Sequence, residues 1–242
     1  MTPTDWMVVS PSYRRANNCT THLHFPKDRF HYAVHEFEAA EYAARGLRIL
    51  VVPDSLRGNI ARVRNFILNA FNGRDVLQVD DDIVSFRFVK TVGSSRQCID
   101  MGEAQLEHFV SNGFEMAREA GCSLWGVNCQ DDPTFYRQNM PLSFQKIVLG
   151  TFSGITAENT LRYDETIPLK EDYDFFIRSV QESKRVLRFN YIHYQADHLN
   201  KAGGCQEYRT KELEKDNADA LKAKHGSAVK FYEGDTNPVI RL

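Results

Sequence analysis

The sequence predicts an α/β domain built on a mostly parallel central sheet flanked by helices, and three observations carry that expectation. Short apolar runs alternate with helix-period segments through the first third of the chain. A strand-like run, Val76-Leu77-Gln78-Val79, ends abruptly in three carboxylates, Asp80, Asp81 and Asp82. An apolar share of 42% in 242 residues is enough for one sizeable core.

The elements follow in order. Residues 6–9 read as a buried strand that stops at Ser10-Pro11-Ser12-Tyr13-Arg14-Arg15, where Pro11 fixes an extended turn. Residues 30–34 form a second strand, 36–45 a helix ended by Gly46, and 48–52 a third strand closed by Pro53. Residues 58–71 carry Ile60, Val63, Ile67 and Ala70 at helical spacing, with Arg62, Arg64 and Asn65 on the other faces. The turn Asn72-Gly73 leads into the acidic strand. Beyond it come a strand at 83–89, an amphipathic helix at 102–120 and a strand at 123–128. Residues 130–143 read as a polar loop, and Gly150-Thr-Phe-Ser-Gly154 as a small-residue turn. A helix opens at Lys170-Glu171-Asp172, a strand covers 185–194, and a flexible segment runs from 197 to Gly203-Gly204. A charged helix at 211–225 and a short strand at 229–232 complete the chain. One domain over 1–242 is expected.

Bulk properties narrow the function. A net charge of −2 gives no global basic field that would announce nucleic acid, although local clusters remain open. Five scattered cysteines without a CxxC pair argue for reduced thiols rather than a disulfide frame or zinc knuckle. No signal-peptide pattern and no apolar run of membrane length occur, so a cytoplasmic protein is expected. GxGxxG and the P-loop are both missing.

Ligands of open α/β sheets bind outside the carboxyl ends of the strands. Three adjacent acids at such an end repel one another, and a hard cation neutralises them most simply. Mn²⁺ or Mg²⁺ is bound through one or two carboxylates plus substrate phosphates. Asp82 is the first candidate ligand and Asp80 faces the nucleoside; Asp81 is a ligand or a structural acceptor. Asp172 or Glu171, at a helix start, is a candidate general base or a first-turn cap, with Asp172 preferred. His198 is a candidate metal ligand and Lys201 a candidate diphosphate contact beside the glycine pair, whereas His193 reads as core. Arg14, Arg62 and Asn65 converge on the ligand edge as base, ribose or phosphate contacts, unless Asn65 only orders the acidic loop.

In order along the chain, Val-Val-Ser-Pro-Ser-Tyr-Arg-Arg (8–15), Asn-Ile-Ala-Arg-Val-Arg-Asn (59–65), Leu-Gln-Val-Asp-Asp-Asp-Ile (77–83), Gly-Thr-Phe-Ser-Gly (150–154), Lys-Glu-Asp-Tyr-Asp (170–174) and His198 resemble a family 2-like glycosyltransferase of GT-A fold. The Tyr13-Arg14 turn, His35-Glu36 before Tyr42 and the full acidic run are most similar to the phage TET-associated glycosyltransferases that decorate modified pyrimidines in DNA. The resemblance implies a UDP-sugar donor with Mn²⁺ or Mg²⁺, a nucleotide-sugar-binding half over about 1–90, and an acceptor-binding half with the C-terminal helix over about 91–242. Asp80 and Asp82 match the ends of a DxD motif, Asp172 the base of an xED motif, and His198 the late ligand. Pro11, Tyr13, Arg14, Arg62, Asn65, Asp80, Asp81 and Lys201 become the donor contacts. It further implies an inverting transfer to the hydroxyl of a 5-hydroxymethylpyrimidine in DNA, with Arg87, Lys90, Arg96 and Arg137 as phosphate contacts. A phage-encoded protein would act in the host cytoplasm, without a membrane or an obligate protein partner.

Other readings are a glycan or small-molecule acceptor, a nucleotidyltransferase, and a non-catalytic module binding nucleotide-sugar or nucleic acid. A nucleotidyltransferase would want a Gly-rich phosphate loop early, and residues 10–15 contain no glycine. A binding module needs no base, so Glu171-Asp172 argues against it.

Overall fold

The computed structural model describes residues 5–93, 95–130, 132–197, 203–232, 235 and 237–241, apart from the Cys205 side chain. The chain begins with β1 (Trp6–Pro11), β2 (Phe30–His35), α1 (Ala39–Ala44), β3 (Ile49–Val52), α2 (Ile60–Ala70) and β4 (Asp75–Val79). There follow β5 (Ile83–Val92), β6 (Ser95–Asp100), α3 (Glu103–Glu119), β7 (Leu124–Asn128), β8 (Leu142–Ser143) and β9 (Phe152–Ile155). The last elements are α4 (Glu171–Ser183), β10 (Leu187–Ala196), α5 (Lys211–His225), β11 (Val229–Lys230) and β12 (Val239–Ile240).

The main sheet runs β3-β2-β1-β4-β9-β7-β10-β5-β6, with β8 beside β10. The first four strands are parallel, with Val8 facing Phe30 on one side and Leu77 on the other. β9 enters antiparallel between β4 and β7, β7 and β10 are parallel, and β5 and β6 form an antiparallel hairpin at the far edge. Most strands therefore point the same way. The sheet is covered on both faces, as buried parallel strands require. One face packs on α3 through Phe109, Val110 and Phe114 and on Tyr42 of α1. The other packs on α2, α4 and α5 through Ile67, Phe176, Ile177 and Leu221. No helix of the described residues is long and apolar enough to cross a membrane.

Several expectations are corrected. Ser153-Gly154 is not a turn but the middle of β9 at the centre of the sheet. A Cβ on Gly154 would collide with the Trp125 indole, so the glycine there makes room for a tryptophan. β6 was not anticipated; its Ser-Arg-Gln-Cys sequence is polar because it is the edge of the sheet. The strand expected at 229–232 covers Val229–Lys230, as β11, and pairs with β12 in a separate two-stranded sheet. Gly203 and Gly204 approach the chain's own backbone: a Cβ on Gly203 would lie 2.6 Å from the Tyr13 carbonyl. The Gly204 N–H donates to that same carbonyl (2.9 Å).

Candidate active site

β1 and β4 are neighbours, and from β1 the chain crosses to β2 on the opposite side. The strand order reverses there, which opens a crevice at the carboxyl ends of the strands. A cavity of about 700 Å³ lies over it. One wall carries Pro11, Ser12, Tyr13 and the triplet Asp80, Asp81 and Asp82. A second wall carries Lys170, Glu171, Asp172 and Tyr173.

Two of the three acids are held by the chain itself. Asp81 Oδ1 and Asp82 Oδ2 take the Arg15 guanidinium at 2.6 and 3.1 Å. The other Asp81 oxygen accepts the Ser12 hydroxyl (2.5 Å), which in turn meets Tyr42 Oη at 2.7 Å. Burial pushes the Asp81 carboxyl up to about 6 against the pull of Arg15 and Ser12. The triplet backbone is fixed as well: Thr20 N–H reaches Asp81 O, and Thr21 Oγ1 reaches Asp80 O. Asp81 is thus a structural acceptor, with both oxygens in use. Asp80 differs: its side chain is 31% exposed, against 4% and 3% for Asp81 and Asp82, and it opens to the cavity.

Arg64 joins the two walls. Nη2 lies 3.4 Å from Asp80 Oδ1, Nε donates to Glu171 Oε1 (3.2 Å), and Nη1 donates to Gln78 Oε1 (3.0 Å). Burial works against its charge, but Tyr163, Glu171, Asp80 and Asp172 hold its pKa above the ordinary value. Gly150 lies against this group, since a Cβ there would come within 2.6 Å of Arg64 Nη2 and 3.4 Å of the Asp172 Cβ. The carboxylate of Asp172 is half-buried and oriented by two peptide donors, Gly150 N–H (3.2 Å) and Tyr173 N–H (2.8 Å). Glu171 is buried beside it. Burial and then Asp172 push Glu171 up to about 8, with Arg64 pulling the other way. Of the two candidates for the base, Asp172 is the one facing open space.

The raised Glu171 value has a stability consequence. Between the ordinary carboxylate range and about pH 8, the folded chain keeps a proton that the unfolded chain has released, so stability falls as pH rises through that window and levels off above it. Glu38, pushed up to about 7 by burial, and Asp81 act in the same direction. Melting temperatures measured from about pH 5 to about pH 9 should decline in the wild type and decline less in Glu171→Gln. Equal slopes in the two proteins would place the effect elsewhere.

Pro11, Tyr13, Asp80, Asp81, Asp82, Glu171 and Asp172 all line this one cavity. Three expected contacts do not. Arg62 turns out to solvent and pairs with Glu165 (3.4 Å). Asn65 is buried, exchanging hydrogen bonds with the Tyr163 peptide, and orders residues 163–165 rather than the acidic loop. Arg14 holds Glu207 (2.8 Å) and lies over the Tyr13 ring, with its backbone in the left-handed region at φ 54°. His198 and Lys201 lie outside the described residues. His193 is buried, as expected. Ser12, Arg15 and Arg64 were missed. Arg64 had a signal: three residues after Ala61 and four before Leu68, it shares their buried stripe.

Among the described residues, no three His, Cys, Asp or Glu side chains form a metal-holding group. Asp80 and Asp82 both line the cavity, and carboxylate oxygens are the donors a hard divalent ion takes, so these two would hold such an ion, Asp82 sharing its charge with Arg15.

A family model described as TET-Associated Glycosyltransferase matches residues 6–204. The chain belongs to this family. Among curated proteins none matches the sequence. Solved structures do resemble it. The mannosyltransferase PcManGT from Pyrobaculum calidifontis, in complex with GDP-Man and Mn²⁺, is 13% identical at TM-score 0.55, covering 92% of this chain and 76% of its own. S. aureus TarS 1-349 in complex with UDP is 16% identical at TM-score 0.48, over 78% of this chain. This chain spans 60% of the TarS chain. Glucosyl-3-phosphoglycerate synthase from Mycobacterium tuberculosis, in complex with Mg²⁺ and UDP, is 11% identical at TM-score 0.48, over 99% of this chain and 88% of its own. The first of these likenesses shows a GT-A fold. The matched stretch of this TET-associated glycosyltransferase includes β1, the acidic triplet and the Glu171-Asp172 pair, hence the main features of both cavity walls.

Proposed function

We propose that this glycosyltransferase moves a sugar from a UDP-sugar to the hydroxyl of a 5-hydroxymethylpyrimidine in DNA, with inversion at the anomeric carbon. The observation that carries the reading is that one cavity is lined both by Asp80 and Asp82, just after β4, and by Asp172 at the start of α4. In this reading Asp80 and Asp82 hold Mn²⁺ or Mg²⁺, which would supply positive charge to the departing diphosphate. Tyr13 and Pro11 border the nucleoside. Asp172 takes the proton of the acceptor hydroxyl as its oxygen bonds to the anomeric carbon, and the bond from that carbon to the diphosphate breaks with its electron pair leaving on UDP. Arg64 keeps Glu171 and Asp80 in place on either side of the reaction.

The DNA acceptor rests on the family description. A base within a duplex must leave its stack to reach such a cavity. Lys90 and Arg137 are exposed and available for phosphates, while Arg87 is engaged with Asp100 (2.8 Å) and Arg96 with the Thr134 carbonyl (3.2 Å). The decisive experiment incubates the protein with a panel of UDP-sugars and Mn²⁺, offering hydroxymethylated DNA, unmodified DNA or a free sugar. Label is expected on hydroxymethylated DNA alone. Equal labelling of unmodified DNA, or of free sugar, would overturn the acceptor.

A further inference from the structure

α5 lies beyond the stretch that the family model matches, yet four of its polar side chains reach the segment that delivers Asp172 to the cavity. Asn217 Oδ1 accepts the Leu169 N–H (3.0 Å). Glu214 Oε2 pairs with Lys170 Nζ (2.8 Å). Lys224 Nζ bridges Asp164 (2.6 Å) and Asp174 (2.7 Å), and His225 Nε2 lies 2.7 Å from the same Asp174 oxygen. Asp174 is fully buried, and its second oxygen takes Arg178 Nε (2.6 Å).

α5 is not docked chiefly by apolar area. Ala218 and Leu221 are its buried apolar side chains, and the buried residue beside them is the polar Asn217. Apolar packing is non-directional, whereas hydrogen bonds and ion pairs fix angle and register. The contacts are also unevenly placed. Asp172 sits midway between Lys170 and Asp174, both secured by α5. The second oxygen of Glu214 takes Arg209 Nε (3.1 Å), and Arg209 borders the same cavity. One helix therefore holds the base-bearing turn and part of the neighbouring wall.

We infer that α5 is a positioning strut for catalysis: through Glu214, Asn217, Lys224 and His225 it sets the attitude of the first turn of α4 and so aims the Asp172 carboxylate at the acceptor hydroxyl. This rests on the reading of Asp172 as the base. Small displacements of a reacting group are costly, a 1 Å error being worth about a hundredfold in rate.

The test uses the full-length chain and four variants: Lys224→Met, Lys224→Arg, Asn217→Leu and Asp172→Asn. Lys224 is partly exposed, so its loss is compatible with folding, and circular dichroism of each protein is the check on that. Lys224→Met and Asn217→Leu are expected to lower kcat by about tenfold or more with donor KM and UDP affinity within about twofold, and Lys224→Arg to recover most of the loss. Unchanged kcat in both Lys224→Met and Asn217→Leu, a parallel loss of UDP affinity, or an arginine variant no better than methionine would overturn the strut. Full activity in Asp172→Asn would overturn the base assignment, and the strut with it. An inactive Asp172→Asn beside a fully active Lys224→Met and Asn217→Leu would overturn the strut alone.

Discussion

Asp172→Asn is expected to lower transfer by about 10²–10⁴-fold while UDP affinity stays within about twofold. Asparagine keeps the shape, and its one carbonyl oxygen can still accept one of the two N–H groups that Asp172 takes on separate oxygens, Gly150 on Oδ2 and Tyr173 on Oδ1. What it loses is the capacity to take a proton from the acceptor hydroxyl. Glu171 is a poor substitute, being buried against Arg64 and inclined to carry a proton already. Steady-state kinetics with calorimetry of UDP binding separate the two effects. Wild-type kcat in this variant would remove Asp172 from the chemistry, and a large fall in UDP affinity would make it a donor ligand.

Arg64→Met should produce the largest loss of stability. Removing one partner of a buried ionic group costs about 3–5 kcal/mol, because the remaining charge is left without compensation. Here Asp80, Glu171 and Gln78 lose a shared donor together. Glu171 can take up a proton, which pulls the expected cost toward the lower end. At about 2–4 °C per kcal/mol for a chain of this size, melting should fall by roughly 6–20 °C. Adding Glu171→Gln should return part of the loss, a coupling that a double-mutant cycle measures. Additive effects of the two changes would mean that Arg64 and Glu171 act independently.

The comparison of sequence with structure follows the physics of each residue. β1 and β4 were legible because parallel strands buried on both faces are largely apolar runs closed by Pro, Gly or charge, and β3, an edge strand with Val51 exposed, because its run is apolar as well. That Tyr13, Asp80 and Asp172 would lie at one cavity could be read from the sequence because strand ends and helix starts are where such sheets present polar groups. The partners within the site were harder to read. Arg62 and Arg64 are both arginines on one helix, and only their places relative to Ala61 and Leu68 separate a solvated charge from a buried one. Arg15 reads as one of two adjacent arginines, and nothing local tells that it, rather than Arg14, turns inward to Asp81 and Asp82. β9 was hidden because Trp125 needs a glycine opposite it, which gives a central strand the composition of a turn. The function of α5 lay in contacts 40 or more residues away in sequence, as from Asn217 to Leu169, and no periodicity encodes those.

The seating of Gly204 on the Tyr13 carbonyl spans most of the polypeptide. During synthesis the strands of the amino-terminal half emerge and can pair while residues 204–209 are still unmade. Until that late segment arrives, the crevice above β1 and β4 lacks one of its sides. A nascent chain that stops short of residue 204 can therefore own paired amino-terminal strands and still lack the side of the crevice that Gly204, Gln206, Glu207, Tyr208 and Arg209 supply.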